Sequence, residues 1–218
     1  MRGSARRDEC GRCVTVGFKG LLIVLVTLVA VIAALAAWGA SRWNASTRAL
    51  NERLDAARAP ITPARYAAER ELDGLPPPVQ RFFRAVLKDG QPMIAALRIE
   101  HRGTFNLAAQ GADQWKPFAS AQRVVTHRPG FVWDGRVSAM PGLAVHVHDA
   151  YVAGEGILHP AVLGLVSLAD LRGSGPEPGG VAQGEFMRYL AEAAWCPTAL
   201  LPSQGVRWTA VDDNTAQA

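Results

Sequence analysis

The sequence predicts an α+β protein in which an N-terminal transmembrane helix leads into a curved, half-barrel-like antiparallel sheet packed by two or three helices. Three observations predict it. An apolar run without charge lies near the N-terminus. The hydrophobic period then changes from about 3.6 to about 2 after Asp89-Gly90. Beyond that point, Pro-Gly turn signals recur between runs of strand length. With 218 residues, 49% of them apolar, the chain is long enough for one core and too apolar for disorder.

The first element is the apolar run, because Gly20 to Ser41 is 22 residues without a charge. A helix of that length reaches about 33 Å, against a hydrocarbon core of about 30 Å. Trp38 and Trp43 suit an interfacial aromatic belt. Signal-peptide cores run about 7 to 15 residues, so the segment reads as an uncleaved signal-anchor despite the cleavage-like Ala37-Trp38-Gly39. The domain plan is a basic cytoplasmic tail over 1–19, the span over 20–41, a polar helix-prone stalk over 42–60 and an extracytoplasmic domain over 61–218. Arg2, Arg6, Arg7, Arg12 and Lys19 bias the tail inward. The Ala/Arg-rich composition reads as bacterial, which makes the expected location a bacterial cell membrane and the lipid bilayer the first partner. The net charge of +4 is mostly a property of the tail. Residues 1–41 carry five Lys/Arg against two Asp/Glu, and residues 42–218 carry eighteen against seventeen. No nucleic-acid surface is expected from that balance.

Within the main domain, Thr62-Pro63 reads as an N-cap followed by Pro at the first helical position, opening a helix to about Asp73. Leu75-Pro76-Pro77-Pro78 restarts the chain, and Val79, Phe82, Phe83, Val86 and Leu87 fall at helical spacing opposite Gln80, Arg81, Arg84 and Lys88. Strands are expected where Leu97, Ile99, His101, Gly103 and Phe105 alternate with polar residues, and again at 119–127, at 130–138 and at 143–152. Arg128-Pro129-Gly130 and Met140-Pro141-Gly142 separate them, so the economical topology is a hairpin meander. From Ile157 to Asp170, Pro160 can open a nearly all-apolar helix with Val162, Leu163, Leu165, Val166 and Leu168. A Gly/Pro-rich loop over 171–184 follows. A second amphipathic helix from about Gly184 to Trp195 would turn Phe186, Met187, Leu190, Ala191 and Ala194 inward and leave Arg188 and Glu192 as an (i, i+4) pair on its wetter side. Val206 to Val211 reads as a strand turned by Asp212-Asp213-Asn214, and its partner stops at Ala218, which suggests a domain that continues.

The segment Arg188-Tyr189-Leu190-Ala191-Glu192-Ala193-Ala194-Trp195, followed by Pro197-Thr198-Ala199-Leu200-Leu201-Pro202-Ser203-Gln204-Gly205-Val206-Arg207-Trp208, resembles the signature of an uncharacterised bacterial family of single-span membrane proteins. Leu75-Pro76-Pro77-Pro78-Val79-Gln80-Arg81, Pro129-Gly130-Phe131-Val132-Trp133-Asp134 and Asp149-Ala150-Tyr151-Val152 resemble it too, so the likeness covers about residues 75–218. It implies a domain identity and no assigned chemistry. Cys196 and the pair His146 and His148 depart from the family's pattern.

Of the chemistry-bearing residues, His146 and His148 project from one strand face and could supply two zinc ligands, with Asp134, Glu155 or His159 as a third. Cys10-Gly11-Arg12-Cys13 is half a zinc site or a redox pair without a second half. Glu155, flanked by Gly154 and Gly156, is the most suggestive acid/base carboxylate, while dinucleotide, phosphate-loop and Gly-x-Ser-x-Gly motifs are not complete. No cofactor is expected. The favoured reading is apolar. Phe105, Phe131, Trp133, Leu165 and Trp208 would line a greasy cavity for a lipid-like ligand. The alternatives are a structural or protein-interaction domain of the cell envelope, and an enzyme using Glu155 or a His146/His148 metal site.

Overall fold

The structure, a computed structural model, describes residues 5–218 except Ala109 and Pro176, with side chains from Lys19 onward. The pair Cys10 and Cys13 therefore lies outside the described side chains. A single helix, α1 (Ala5–Ala56), carries the apolar run and does not stop where it ends. From Lys19 it is long and apolar enough to cross a membrane, with none of its most apolar window buried in the protein. The stretch expected to be a polar stalk continues the same helix. Gly39, Trp43, Leu50 and Leu54 are buried on one side of it, with Thr47 partly so. Steps of four, four, three and four residues keep these side chains on one face.

The segment expected to be a helix over 62–73 forms only α2 (Ala68–Glu71). Before it the chain is extended: Arg65 bridges Pro92, and the Tyr66 amide donates to the Gln91 carbonyl. Backbone groups already bonded to a neighbouring segment cannot close helical turns. Next, α3 (Pro77–Val86) starts at its prolines, whose missing N–H groups cost nothing in a first turn. Val79, Phe83 and Leu87 are buried, whereas Phe82 and Val86 are exposed.

The meander follows as β1 (Ala96–Asn106), β2 (Trp115–Val125), β3 (Gly130–Met140), β4 (Leu143–Val152) and β5 (Glu155–Val162). Neighbouring strands pair antiparallel in an open sheet, and β6 (Val166–Ser167) and β7 (Leu171–Ser174) share the outer edge of β5. This overturns the helix expected over 157–170. Ile157 to Val162 pairs residue by residue with β4, and Leu163 and Gly164, at φ 52° and 68°, turn the chain back instead of winding it. Pro160 is tolerated because its missing N–H falls on the outer side of β5, where only its carbonyl is engaged, by the Leu168 amide at 2.9 Å, at the end of the short β6 pairing. Part of the loop expected over 171–184 is β7, and α4 (Val181–Glu192) begins three residues early. Short 3-10 turns occupy Ala193–Trp195, Pro197–Leu200 and Pro202–Gln204. The strand expected over 206–211 shrinks to β8 (Thr209–Ala210), which pairs with β9 (Ala216–Gln217).

The period of two assigns the strand residues to opposite sides. Val132, Ala150, Val152 and Ile157 meet Leu50 and Leu54 of α1 on one face. Phe131, Trp133 and Val124 meet Tyr189 of α4 on the other. A third cluster, around Phe83, Tyr66, Leu72, Cys196 and Leu201, closes the end where β1 begins.

Candidate functional site

Charged and polar side chains are trapped under both helices. On the α4 face, Arg188 bonds Asp149 and donates through Nε to Glu192 Oε1 at 2.9 Å. Its guanidinium carbon stands 5.0 Å from the Phe131 ring centroid and 5.4 Å from that of Trp133. Gln122 Nε2 donates to the other Glu192 oxygen at 2.6 Å. The helix approaches this closely because β5 offers Gly156, where an added Cβ would lie 2.6 Å from the Ala182 Cα. Arg188 and Glu192, expected on the wet side, therefore face the sheet, while Met187, Ala191 and Ala194 are exposed. Burial of the aromatic Tyr189 and bonding of Arg188 to Asp149 set the rotation of α4.

Glu185 joins this group as an acid. Burial pushes its carboxyl up to about 9, and a hydrogen bond to Asp149 favours the protonated form further. Glu185 Oε2 and Asp149 Oδ1 are both buried without another partner, and one proton held between them satisfies both. Burial works against the Arg188 charge, but Asp149, Glu192 and Glu185 outweigh it and raise its pKa. The resulting set is one guanidinium, two carboxylates and one carboxylic acid.

On the α1 face, Trp43 Nε1 donates to Asp134 Oδ1 at 2.9 Å, and Thr47 Oγ1 lies 2.9 Å from Asp134 Oδ2 and 2.8 Å from His148 Nε2. Asp134 can only accept, so the Thr47 hydroxyl donates to it and His148 Nε2–H donates to Thr47. The His148 ring is stacked on Trp43 at 3.8 Å between centroids. Burial lowers its pKa to about 4, with Asp134 opposing the effect and the nearby His159, His146 and Arg172 adding to it. His148 is thus a neutral donor at physiological pH. Burial, then Arg136, lowers His146 as well.

A match to a protein family covers residues 73–218, about two thirds of the chain. The chain belongs to DUF6920, a family of unknown function. No curated protein matches it, and no solved structure does. The DUF6920 part holds the whole α4 cluster, Asp134 and the histidines, whereas Trp43 and Thr47 lie outside it.

The residues singled out from the sequence are dispersed through the fold. Of the five cavity candidates only Phe131 and Trp133 come together, and they are buried under Arg188 as solid packing. Phe105 is an exposed strand residue against Phe118, and Leu165 abuts Gly39 of α1. Trp208 packs edge-on against Phe83 and donates through its indole to the Leu200 carbonyl at 3.0 Å. With Pro78, Val79, Phe82, Leu200 and Ala216 it lines an open apolar cleft of 240 Å³. Glu155 is engaged by Arg53 at 2.6 Å and Arg172 at 3.8 Å. His146 and His148 lie beneath α1, and among the described residues no group of three His, Cys, Asp or Glu side chains is disposed to hold a metal. Burial drives the Cys196 thiol up to about 11, which suppresses the reactive thiolate. Sequence reasoning missed Asp149, Glu185, Arg188 and Glu192 as a group. The only signal was the mutual spacing of Glu185, Arg188 and Glu192 on one helical stripe.

Proposed function

We propose that this chain is a single-pass protein of the bacterial cell membrane, with its main domain extracytoplasmic, and that it works as an envelope interaction module. The observation that carries this reading is the continuity of α1. The apolar run and the stripe buried against the sheet belong to one helix, so the span is a core element of the domain and not a tether. From Gly39 to Ala56 that helix rises about 26 Å at 1.5 Å per residue. The domain and its distal cleft are thereby held at one height and one rotation relative to the bilayer.

Size favours a protein partner over a whole lipid at that cleft. Its 240 Å³ falls below the roughly 300–1,000 Å³ of small-molecule pockets, and it suits one large apolar side chain against Phe82 and Trp208. The test is a photo-crosslinking residue at Phe82 in the full-length protein, irradiated in its native membranes. A discrete protein adduct is the expected outcome. A lipid-sized adduct would restore the apolar-ligand reading, and no adduct would remove the cleft as a binding site.

A further inference from the structure

The strand directions bring three turns to one end of the sheet: β1 to β2, β3 to β4, and β5 to β6. This is the end at which α1 enters the domain. The β5–β6 turn rests directly on Gly39, where any added Cβ would strike the Leu163 carbonyl and the Leu165 side chain. Trp43 lies 5.3 Å from the His146 ring, and this contact relates the other two turns to the helix. From His146 to Leu143 is three strand residues, about 10 Å. From Trp43 to Ala36 is seven helical residues, also about 10 Å. The β3–β4 turn is therefore level with Ala36 to Trp38, the close of the apolar run. Phe118 pairs with Val137 and Val137 with Val145, so Trp115, three residues further on, reaches a similar level.

Each of the three turns carries large exposed apolar residues. Trp115, Met140, Val166 and Leu168 leave 58 to 62% of their surface exposed, and Leu107 is exposed beside Trp115. Four residues back along the strands from Trp115 and Met140, about 13 Å, Arg102 and Arg136 flank Ala119 across the sheet and line a groove beside α1 with His146. Neither arginine pairs with a carboxylate among the described residues. The one carboxylate in the β1–β2 turn, Asp113, is occupied by Asn106 and by the Trp115 indole N–H.

We infer that these three turns form a membrane-docking surface: their apolar residues seat in the interface of the bilayer that α1 crosses, and Arg102 and Arg136 reach its anionic headgroups. The inference rests on the reading of α1 as a membrane span. Apolar side chains at bilayer level with cationic side chains behind them match the polarity gradient of an interface. Docking at three points around a helix that is itself fixed to the sheet stops the domain from tilting on its anchor.

The test uses the full chain with Cys10 and Cys13 changed to Ser, reconstituted in vesicles of phosphatidylethanolamine and phosphatidylglycerol. Nitroxide labels are placed singly at Trp115→Cys, Met140→Cys and Val166→Cys, with Leu28→Cys as the span reference and Met187→Cys as an exposed reference on α4. The buried Cys196 does not compete for label. Oxygen-to-nickel-complex accessibility ratios at the three turns are expected to be several-fold above that at Met187 and to approach that at Leu28. Ratios equal to that at Met187, with Leu28 lipid-like, overturn the docking surface and leave the span intact. A water-like Leu28 overturns the span itself. Substituting phosphatidylcholine for phosphatidylglycerol is expected to lower the ratios at the turns, and unchanged ratios would remove Arg102 and Arg136 from the surface.

Discussion

The two faces of the sheet hold their helices by different means. Under α1 the inner polar contacts are a chain of neutral donors ending on one carboxylate, with His148 stacked on Trp43 and an apolar patch of Leu50 and Leu54 below, and ion pairs of Arg53 with Glu155 and of Asp55 with Arg123 lie only at the solvent-exposed rim. Under α4 the contacts are ionic, with Arg188 between Asp149 and Glu192 and a protonated Glu185 alongside. A buried charge network is weak as net stability and costly to break, whereas an apolar seam is roughly proportional to its buried area. The α1 face is therefore built for permanent attachment, and the α4 face for one specific seating of its helix.

The largest expected effects come from breaking either face. On the ionic face, Arg188→Met leaves the half-buried Asp149 and Glu192 without their cation, at a cost of about 3 kcal/mol in chemical denaturation, the low end for a broken buried pair. Adding Asp149→Asn should recover part of that loss. An unchanged denaturation midpoint in Arg188→Met would show that α4 is held by its aromatic contacts alone. On the apolar face, Leu54→Ala is expected to cost about 2–5 kcal/mol by leaving a cavity. Amides of residues 43–56 should then exchange faster with deuterated water. If they keep their protection, the helix does not need this seam.

The pH dependence sharpens the contrast, because the two faces respond with opposite sign. Glu185 is raised from an ordinary 4.5 to about 9, so between those values the folded state holds a proton that the unfolded chain has lost. Its contribution is fully present below about 4.5 and is lost as pH rises toward about 9. Glu185→Gln should remove this alkaline weakening and stabilise the protein at pH 8.5 by about 1–3 kcal/mol. His148 is lowered from 6.5 to about 4, so its contribution is present above about 6.5 and is lost as pH falls toward about 4. His148→Phe keeps a ring against Trp43 and should flatten the acid limb by about 1–3 kcal/mol, read from thermal midpoints at pH 4.5 and 7. If both variants retain the parent's pH profile, other groups govern it. The smallest effect belongs to Met187→Ser on the exposed side of α4, expected within about 0.5 kcal/mol of the parent.

How much was legible depended on whether local pattern and tertiary contact agreed. The strands of the meander read correctly because Phe131, Trp133 and Val137 alternate against a half-wet face, and the Pro-Gly turns supply the breaks. The stretch 157–170 misled because an unbroken apolar run has no period, and strand pairing with β4 decided it. In α4 the charged stripe was assigned outward on polarity, but its partners Asp149 and Gln122 are 39 and 70 residues away in the chain. The stripe of Gly39, Trp43, Thr47, Leu50 and Leu54 was readable in principle. A glycine and a threonine in an Ala/Arg-rich setting hid it.

The sequence by itself determined a charge-free helix long enough for a bilayer, an antiparallel α+β domain and membership of a family without assigned activity. Each of these is written in local period, length or motif. Only the tertiary structure decided that the helix continues into the core, that Arg188 faces Asp149, and that three distant turns share the end of the sheet nearest the apolar run. Those facts depend on contacts across tens of residues. One-dimensional spacing does not encode them until strand register brings the partners together.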